Sequence, residues 1–232
     1  MNVVITGASK GIGKAIAEKF ASENNRVFLC ARTDDELQDT AAEIRERYPF
    51  AEVFALAADL TKKEDITRFA EMCLDFGTPD ILVNNTGRYI PGKIATEADD
   101  ALEEMIRTNL YSAYYLTRHL LPAMTANGSG HIFNICSVAS LNAYEGGGSY
   151  SISKYALNGF SQNLRHELRS TGIKVTAVYP GAVFTDSWAG FDNSSNRIME
   201  SSDIAESVIS ATRLSSQAVV ESIILRPQLG DL

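Results

Sequence analysis

The sequence predicts an α/β protein: a single domain built on one doubly wound parallel sheet of seven strands with flanking helices. Three observations carry this. Short apolar and β-branched runs alternate with segments of helical periodicity along the 232 residues. Most of the strand-like runs are continuously apolar, the pattern of strands covered on both faces. No repeat, low-complexity stretch or Pro/Gly/Ser-rich linker divides residues 1–232, and 45% hydrophobic with 22% charged residues is ample material for a core.

Asn2 to Thr6 reads as the first strand. It runs into Gly7-Ala8-Ser9-Lys10-Gly11-Ile12-Gly13 and then a helical pattern through Ile12, Ile16 and Phe20. Glycines here let the backbone turn sharply and let a phosphate approach a helix N-terminus, where free N–H groups and the helix dipole favour negative charge. The spacing Gly-x-x-x-Gly-x-Gly differs from the commoner Gly-x-Gly-x-x-Gly, and a tight turn without a ligand is the alternative.

Arg26 to Ala31 is the second strand, followed by a helix over Asp34 to Arg47. In a dinucleotide-binding fold, an acid at this strand's end bonds a free ribose 2′-hydroxyl, whereas an arginine suits a 2′-phosphate. The chain has Ala31-Arg32-Thr33, with Lys10 as a second cation for the same phosphate. The alternative for either cation is a solvated surface position.

Glu52 to Ala57 gives the third strand. Asp59-Leu60 follows, and Thr61 is the expected N-cap of the next helix. Asp59 either accepts from an adenine amino group or caps a turn. Asp80 to Asn84 is the fourth strand and enters Asn84-Asn85-Thr86-Gly87, where Asn85 either ties strands together or reaches a ligand. A long helix over about Asp99 to Ala126 carries Asn109, a tolerated polar group or a functional kink.

His131 to Cys136 is a buried strand ending at Ser137, and strand ends are where such sheets place their chemistry. The next helix spaces Tyr150 and Lys154 four residues apart, on one face. An unperturbed phenol, with a pKa of about 10, exchanges protons poorly at neutral pH, and a neighbouring ammonium would favour its ionised form. An exposed helix with an ordinary Tyr and Lys is the alternative for this short pattern. Ile173 to Tyr179, Pro180-Gly181 and a loop to about Ser201 with Thr185, Trp188 and Phe191 follow. Ser202 or Asp203 is the expected cap of the last helix, and Val219 to Arg226 the last strand.

A net charge of -8 and a pI near 5.0 argue against nucleic-acid or membrane partners and point to a small molecule. No basic leader precedes the first strand, and no apolar run approaches about 20 residues. Cys30, Cys73 and Cys136 lack metal-ligand spacing and read as buried free thiols of a cytoplasmic protein; no metal site is expected.

Together the motifs resemble the short-chain dehydrogenase/reductase family over nearly the whole chain. Thr6 to Gly13 is similar to its Thr-Gly-x-x-x-Gly-x-Gly turn, Asn84 to Gly87 to its Asn-Asn-Ala-Gly segment with Thr86 in place of alanine, and Pro180-Gly181 with Thr185 to its Pro-Gly-x-x-x-Thr segment. The closing run Val220 to Leu232 is similar to bacterial sepiapterin-reductase-like members. The resemblance implies a Rossmann-type fold and a catalytic tetrad of Asn109, Ser137, Tyr150 and Lys154. It also implies NADP held by Gly7, Ser9, Lys10, Gly11, Ile12, Gly13, Arg32, Thr33, Asp59, Leu60, Asn85, Gly87, Tyr150, Lys154, Pro180, Gly181, Val183 and Thr185.

In the implied reaction, NADPH delivers hydride to a carbonyl carbon and Tyr150 protonates the oxygen of that carbonyl. Ser137 hydrogen-bonds that oxygen, Lys154 lowers the Tyr150 pKa and binds ribose, and Asn109 holds a water beside Lys154. The expected activity is reduction of a small or cyclic ketone in a pocket lined by Leu141, Tyr144, Trp188 and Phe191. The alternatives are a 3-oxoacyl carrier-protein reductase and a non-catalytic NADP sensor. A homodimer or homotetramer is expected through helix faces carrying Tyr111, Tyr114, Tyr115, Leu157 and Phe160.

Overall fold

The run Asn2–Thr6 forms β1, and Arg26–Ala31 and Glu52–Ala57 form β2 and β3. Ile81–Asn84, Gly130–Ile135, Ile173–Pro180 and Ser222–Leu225 follow as β4 to β7. All seven pair in parallel in the order β3-β2-β1-β4-β5-β6-β7. The computed structural model describes residues 1–188 and 190–231.

Helices α1 (Gly11–Ala21), α2 (Asp34–Arg47) and α7 (Ser201–Thr212) cover one sheet face, where Ile16, Phe20, Leu37, Ile44 and Ile204 meet Val3, Ile5, Val27 and Leu29. The other face is covered by α3 (Lys63–Asp75), α5 (Ser112–Asn127) and α6 (Gly148–Glu167), whose Phe69, Leu116, Leu120 and Leu164 meet Val4, Phe28 and Leu82. Successive strand residues therefore feed opposite cores, which is why the strands read as unbroken apolar runs.

The long central helix runs from α4 (Ala101–Ile106) through a π turn, Arg107–Tyr111, into α5. Asn109 lies in that π turn, so the helix is kinked at this polar residue. Gly128, at φ 67°, closes the helix in the left-handed conformation.

Some boundaries differ from expectation, each for a local reason. Thr61 is not an N-cap. Asp59 Oδ1 accepts from both its N–H (3.1 Å) and its hydroxyl (2.8 Å), which holds a turn and delays α3 to Lys63. The cap of α7 is Glu200, not Ser202 or Asp203, although Asp203 closes the capping box by accepting from the Glu200 N–H at 3.0 Å. Strand β7 is shorter than expected because the Val220 carbonyl accepts from the Thr176 hydroxyl (2.5 Å) instead of the ladder, while Pro227 cannot continue it.

His131 shows how tightly the sheet is sealed. It is 5% exposed, stacked 4.0 Å from Phe133, with Nε2 2.7 Å from Thr176 Oγ1. That hydroxyl already donates to Val220, so the imidazole Nε2–H must donate to it. Burial, with Lys174 adding like charge, pushes the His131 pKa down to about 3. A folded pKa below the unfolded value of about 6.5 means stability is lost as pH falls from 6.5 toward 3. We predict that His131→Gln shallows this acid limb. Urea unfolding at pH 7 and pH 4 should show the parent losing on the order of 2–3 kcal/mol more than the variant between the two pH values.

Candidate active site

The cleft lies at the carboxyl ends of the strands, at the switch point between β1 and β4 where the chain reverses its order through the sheet. Asn85 builds this point: its Nδ2 donates to the Thr6 carbonyl (2.9 Å) and the Gly7 carbonyl (3.0 Å), and its N–H donates to Thr6 Oγ1 (3.0 Å). Of its two readings, tying strands together is what the structure displays. One continuous cavity of about 1000 Å³ opens above it.

The glycine turn forms one wall. At Gly13 a Cβ would sit 2.3 Å from the Gly7 carbonyl oxygen, so only glycine lets α1 pack this close to the turn. Gly13 is buried beneath the cavity rather than lining it, which corrects its expected place among the ligand contacts. At Gly11, φ is +56° and a Cβ would meet Thr185 Cγ2 at 3.1 Å. Gly7, Ser9, Lys10, Gly11 and Ile12 line the cavity with Arg32, Thr33, Asp59, Leu60, Asn85, Gly87, Pro180, Gly181, Val183 and Thr185. A glycine cradle at a helix N-terminus, a long cleft and two cations at one end fit a dinucleotide.

Lys10 has company that the sequence did not suggest. Asp186, on the short helical turn Asp186–Trp188, lies 2.5 Å from its ammonium, and Glu36 of α2 lies 3.8 Å away. These partners raise the Lys10 pKa, Asp186 foremost.

Ser137, Tyr150 and Lys154 converge at the inner end. Ser137 caps a 3-10 turn, Val138–Ser140: its Oγ accepts from the Ala139 N–H at 3.1 Å, and Ser140 Oγ accepts from the Ser137 N–H at 3.2 Å. With an oxygen lone pair engaged, the Ser137 O–H remains as a donor to the cleft. Tyr150 stands in the first turn of α6, and Lys154 follows one turn later on the same face.

The electrostatics differ from expectation. Lys154 is 5% exposed, its Nζ donates to the Ile135 carbonyl at 2.9 Å, and burial pushes its pKa down to about 8, with Cys136 opposing. Its ammonium is 6.0 Å from the Tyr150 ring centre. Burial dominates the phenol and raises its pKa, offset in part by the Ser137 hydroxyl. The expected depression of Tyr150 by Lys154 is therefore not the governing effect; burial is.

Asn109 is behind the cleft wall rather than on it. Its Oδ1 accepts from the Arg88 N–H (2.7 Å), and its Nδ2 donates to the Arg88 carbonyl (3.1 Å) and to Ser153 Oγ (2.8 Å). Both amide hydrogens thus have protein partners. A Cβ on Gly87 would sit 3.3 Å from Lys154 Nζ and 3.4 Å from Asn109 Oδ1, so glycine keeps the gap between them open.

Tyr144 and Trp188 line the cavity, as expected, but Leu141 packs inward near Cys136 and Leu157. Phe191 packs edge-on against Trp188 at 5.3 Å and supports it from behind. Tyr89 was missed: its ring meets that of Tyr150 at 4.8 Å and 78°, and it lines the cavity. Its signal was its position two residues after Gly87, just past the Asn84–Gly87 segment at the end of β4. Among the described residues, no group of His, Cys, Asp and Glu side chains comes together to hold a metal ion, and no helix is long and apolar enough to cross a membrane.

Comparison with known proteins agrees with this geometry. The family described as short chain dehydrogenase matches residues 1–195. An uncharacterized oxidoreductase of Staphylococcus saprophyticus is 36% identical over 226 residues, covering 97% of this chain and 96% of the relative. A metagenomic short-chain oxidoreductase solved with NADP is 34% identical, with a TM-score of 0.85 over 97% of this chain and 96% of that one. An alcohol dehydrogenase from the archaeon Thermococcus sibiricus, solved with 5-hydroxy-NADP, is 27% identical, with a TM-score of 0.92 over 99% and 97% of the two chains. A glycine turn at the switch point, the Ser137–Tyr150–Lys154 arrangement in one cleft and a family match over most of the sequence lead to one conclusion: the chain belongs to the short chain dehydrogenase family of oxidoreductases.

Proposed function

We propose that the protein is an NADPH-dependent carbonyl reductase acting on small or cyclic ketones. The observation that carries this reading is the shared cleft, whose lining runs from Arg32 and Lys10 to Ser137, Tyr150 and Lys154. A bound nicotinamide dinucleotide supplies the hydride. The chain supplies the rest. The Ser137 O–H donates to the carbonyl oxygen and stabilises charge developing there, and Tyr150, held protonated by burial, transfers its proton to that oxygen. Lys154, with a pKa near 8, keeps a proton at neutral pH and sets positive charge beneath the phenol as it becomes phenolate.

Arg32 and Lys10 support a preference for NADP(H), and Ala31 leaves no acid at the strand end for a free 2′-hydroxyl. The NADP-type ligands in the two similar structures point the same way. The Lys10 ion pairs are with side chains more than half exposed or nearly so, and such pairs are weak enough for a phosphate dianion to displace. The expected outcome is higher kcat/KM with NADPH than NADH, reversed by Ala31→Asp combined with Arg32→Ala. Equal efficiency with both cofactors in the parent would refute it.

Tyr89, Tyr144 and Trp188 favour a flat or compact substrate, because rigid rings offer apolar area at low entropic cost. An acidic acyl carrier protein would have to dock on a chain of net charge -8, so the carrier-protein reading is second. A screen of NADPH oxidation with diketones, pterin ketones, quinones, ketosteroids and 3-oxoacyl thioesters tests both. Cyclic diketones and pterin-like ketones should exceed the thioesters in kcat/KM, and Tyr150→Phe should remove most turnover, by roughly 100-fold or more. The opposite ranking would promote the carrier-protein reading. Absence of turnover across the panel, with cofactor still bound, would favour a sensor.

We also propose that two or four copies pair through the outer faces around α5 and α6. Tyr111, Tyr114, Ile152 and Tyr155 are each about 40% exposed there. Leu157, expected on this face, instead lies in the core at 1% exposure, because one helical turn after Ser153 it points back to the sheet. Sedimentation at micromolar concentration should give a dimer or tetramer, and a monomer would refute the proposal.

A further inference from the structure

The segment leaving β4 is joined first to the π turn and then, from Tyr89 on, to the chain just before and within the first turn of α6. Arg88 is clamped by Asn109 through both backbone groups, and Tyr89 packs edge-on against Tyr150. The Gly92 N–H donates to the Gly146 carbonyl at 2.9 Å, and Lys93 pairs with Glu145 at 2.7 Å. Glu97 ends the series. Its carboxylate accepts from the Ser149 hydroxyl at 2.5 Å and from the Ser149 N–H at 3.1 Å.

This carboxylate does the work of a helix cap from a separate loop. The N-cap of α6 is Gly147, which has no side chain to offer, and the orphan N–H groups of a first turn favour an anionic acceptor. The fit is close. Gly148 has φ +39°, and a Cβ there would sit 2.5 Å from the Gly92 carbonyl oxygen and 2.6 Å from Glu97 Oε2. Ser149, the residue held, is 2% exposed, and Tyr150 is its immediate neighbour in the same turn.

We infer that Glu97 is a positioning residue for Tyr150: by anchoring the first turn of α6 to the 88–97 segment, it sets the depth and direction from which the phenol presents its proton. The inference rests on the reading of Tyr150 as general acid. Glu97 itself is absent from the cavity lining, so it acts through Ser149 and not by contact with cofactor or substrate.

The test compares Glu97→Ala, Glu97→Gln, Gly148→Ala, Tyr150→Phe and the Glu97→Ala/Tyr150→Phe pair in the full chain. Steady-state reduction of a cyclic diketone gives kcat and KM, and NADPH fluorescence titration gives the cofactor Kd. Misplacing a reacting group by a fraction of an ångström to 1 Å should lower kcat of Glu97→Ala by about 10-fold or more, with NADPH Kd held within about twofold. Glu97→Gln, whose amide oxygen still accepts from Ser149, should recover part of the rate, and Gly148→Ala, which displaces the same contact, should repeat the loss.

A residue acting through Tyr150 has nothing further to lose once the phenol is gone, so the double variant should match Tyr150→Phe. The inference is overturned if Glu97→Ala retains kcat within about twofold, or if it lowers the rate by the same factor with and without the Tyr150 hydroxyl. If Tyr150→Phe itself keeps full turnover, the acid assignment fails and this inference with it. If Tyr150→Phe is dead while both Glu97→Ala and Gly148→Ala are unimpaired, only this inference fails.

Discussion

The joint between the ends of β1 and β4 is the constraint on which the site depends. One amide, Asn85, and one hydroxyl, that of Thr6, hold these two strand ends together, and the glycine turn and the Asn84–Gly87 segment leave from the same point. Parallel strands diverge in connection here, with β2 and β3 on one side and β5 to β7 on the other, so a crevice opens at this place. Polar atoms at such a point must find partners, and satisfying them with each other makes the floor of the cleft rigid.

From that floor the two halves of the reactive end are held by different kinds of force. Ser137 is set by its own local turn, through the reciprocal bonds with Ala139 and Ser140. Tyr150 and Lys154 are set by α6, which is buried against β5 and β6 through Leu157 and Leu164, each worth about 1.5–3 kcal/mol of apolar burial. Burial is also what tunes them. Removal from water raises the pKa of the phenol and lowers that of the ammonium, the latter to about 8.

Behind these groups lies a layer of buried polar contacts. Asn109 uses its amide to join the π turn, the Arg88 backbone and Ser153 of α6, so three elements that are distant in sequence are registered at one side chain. Asn84 and Asn134 do the same deeper in the sheet, linking β4 to β5 and, through Thr117 and Ser161, to α5 and α6. The Asn109 amide is fully partnered, whereas the buried Asn84 Oδ1 has no partner, so the specificity that a satisfied network confers belongs to the Asn109 contacts.

Local chemistry was legible in the sequence. Continuous apolar runs specified parallel strands with both faces covered, the glycine spacing specified a strand–turn–helix unit, and the Tyr150–Lys154 interval specified a common helix face; none of these needs a distant partner to be read. The structure decided what depends on neighbours far along the chain. Leu141 and Leu157 turned inward because the space beside Cys136 and Tyr179 was there to fill, and Tyr89 reached Tyr150 only because the 88–97 segment folds back on α6. Asp186 and Glu36 met Lys10 across three separate elements. The direction of the Tyr150 shift followed the same rule: helical spacing reveals which cation is near, but desolvation depends on everything packed around the group, and here it is the largest influence.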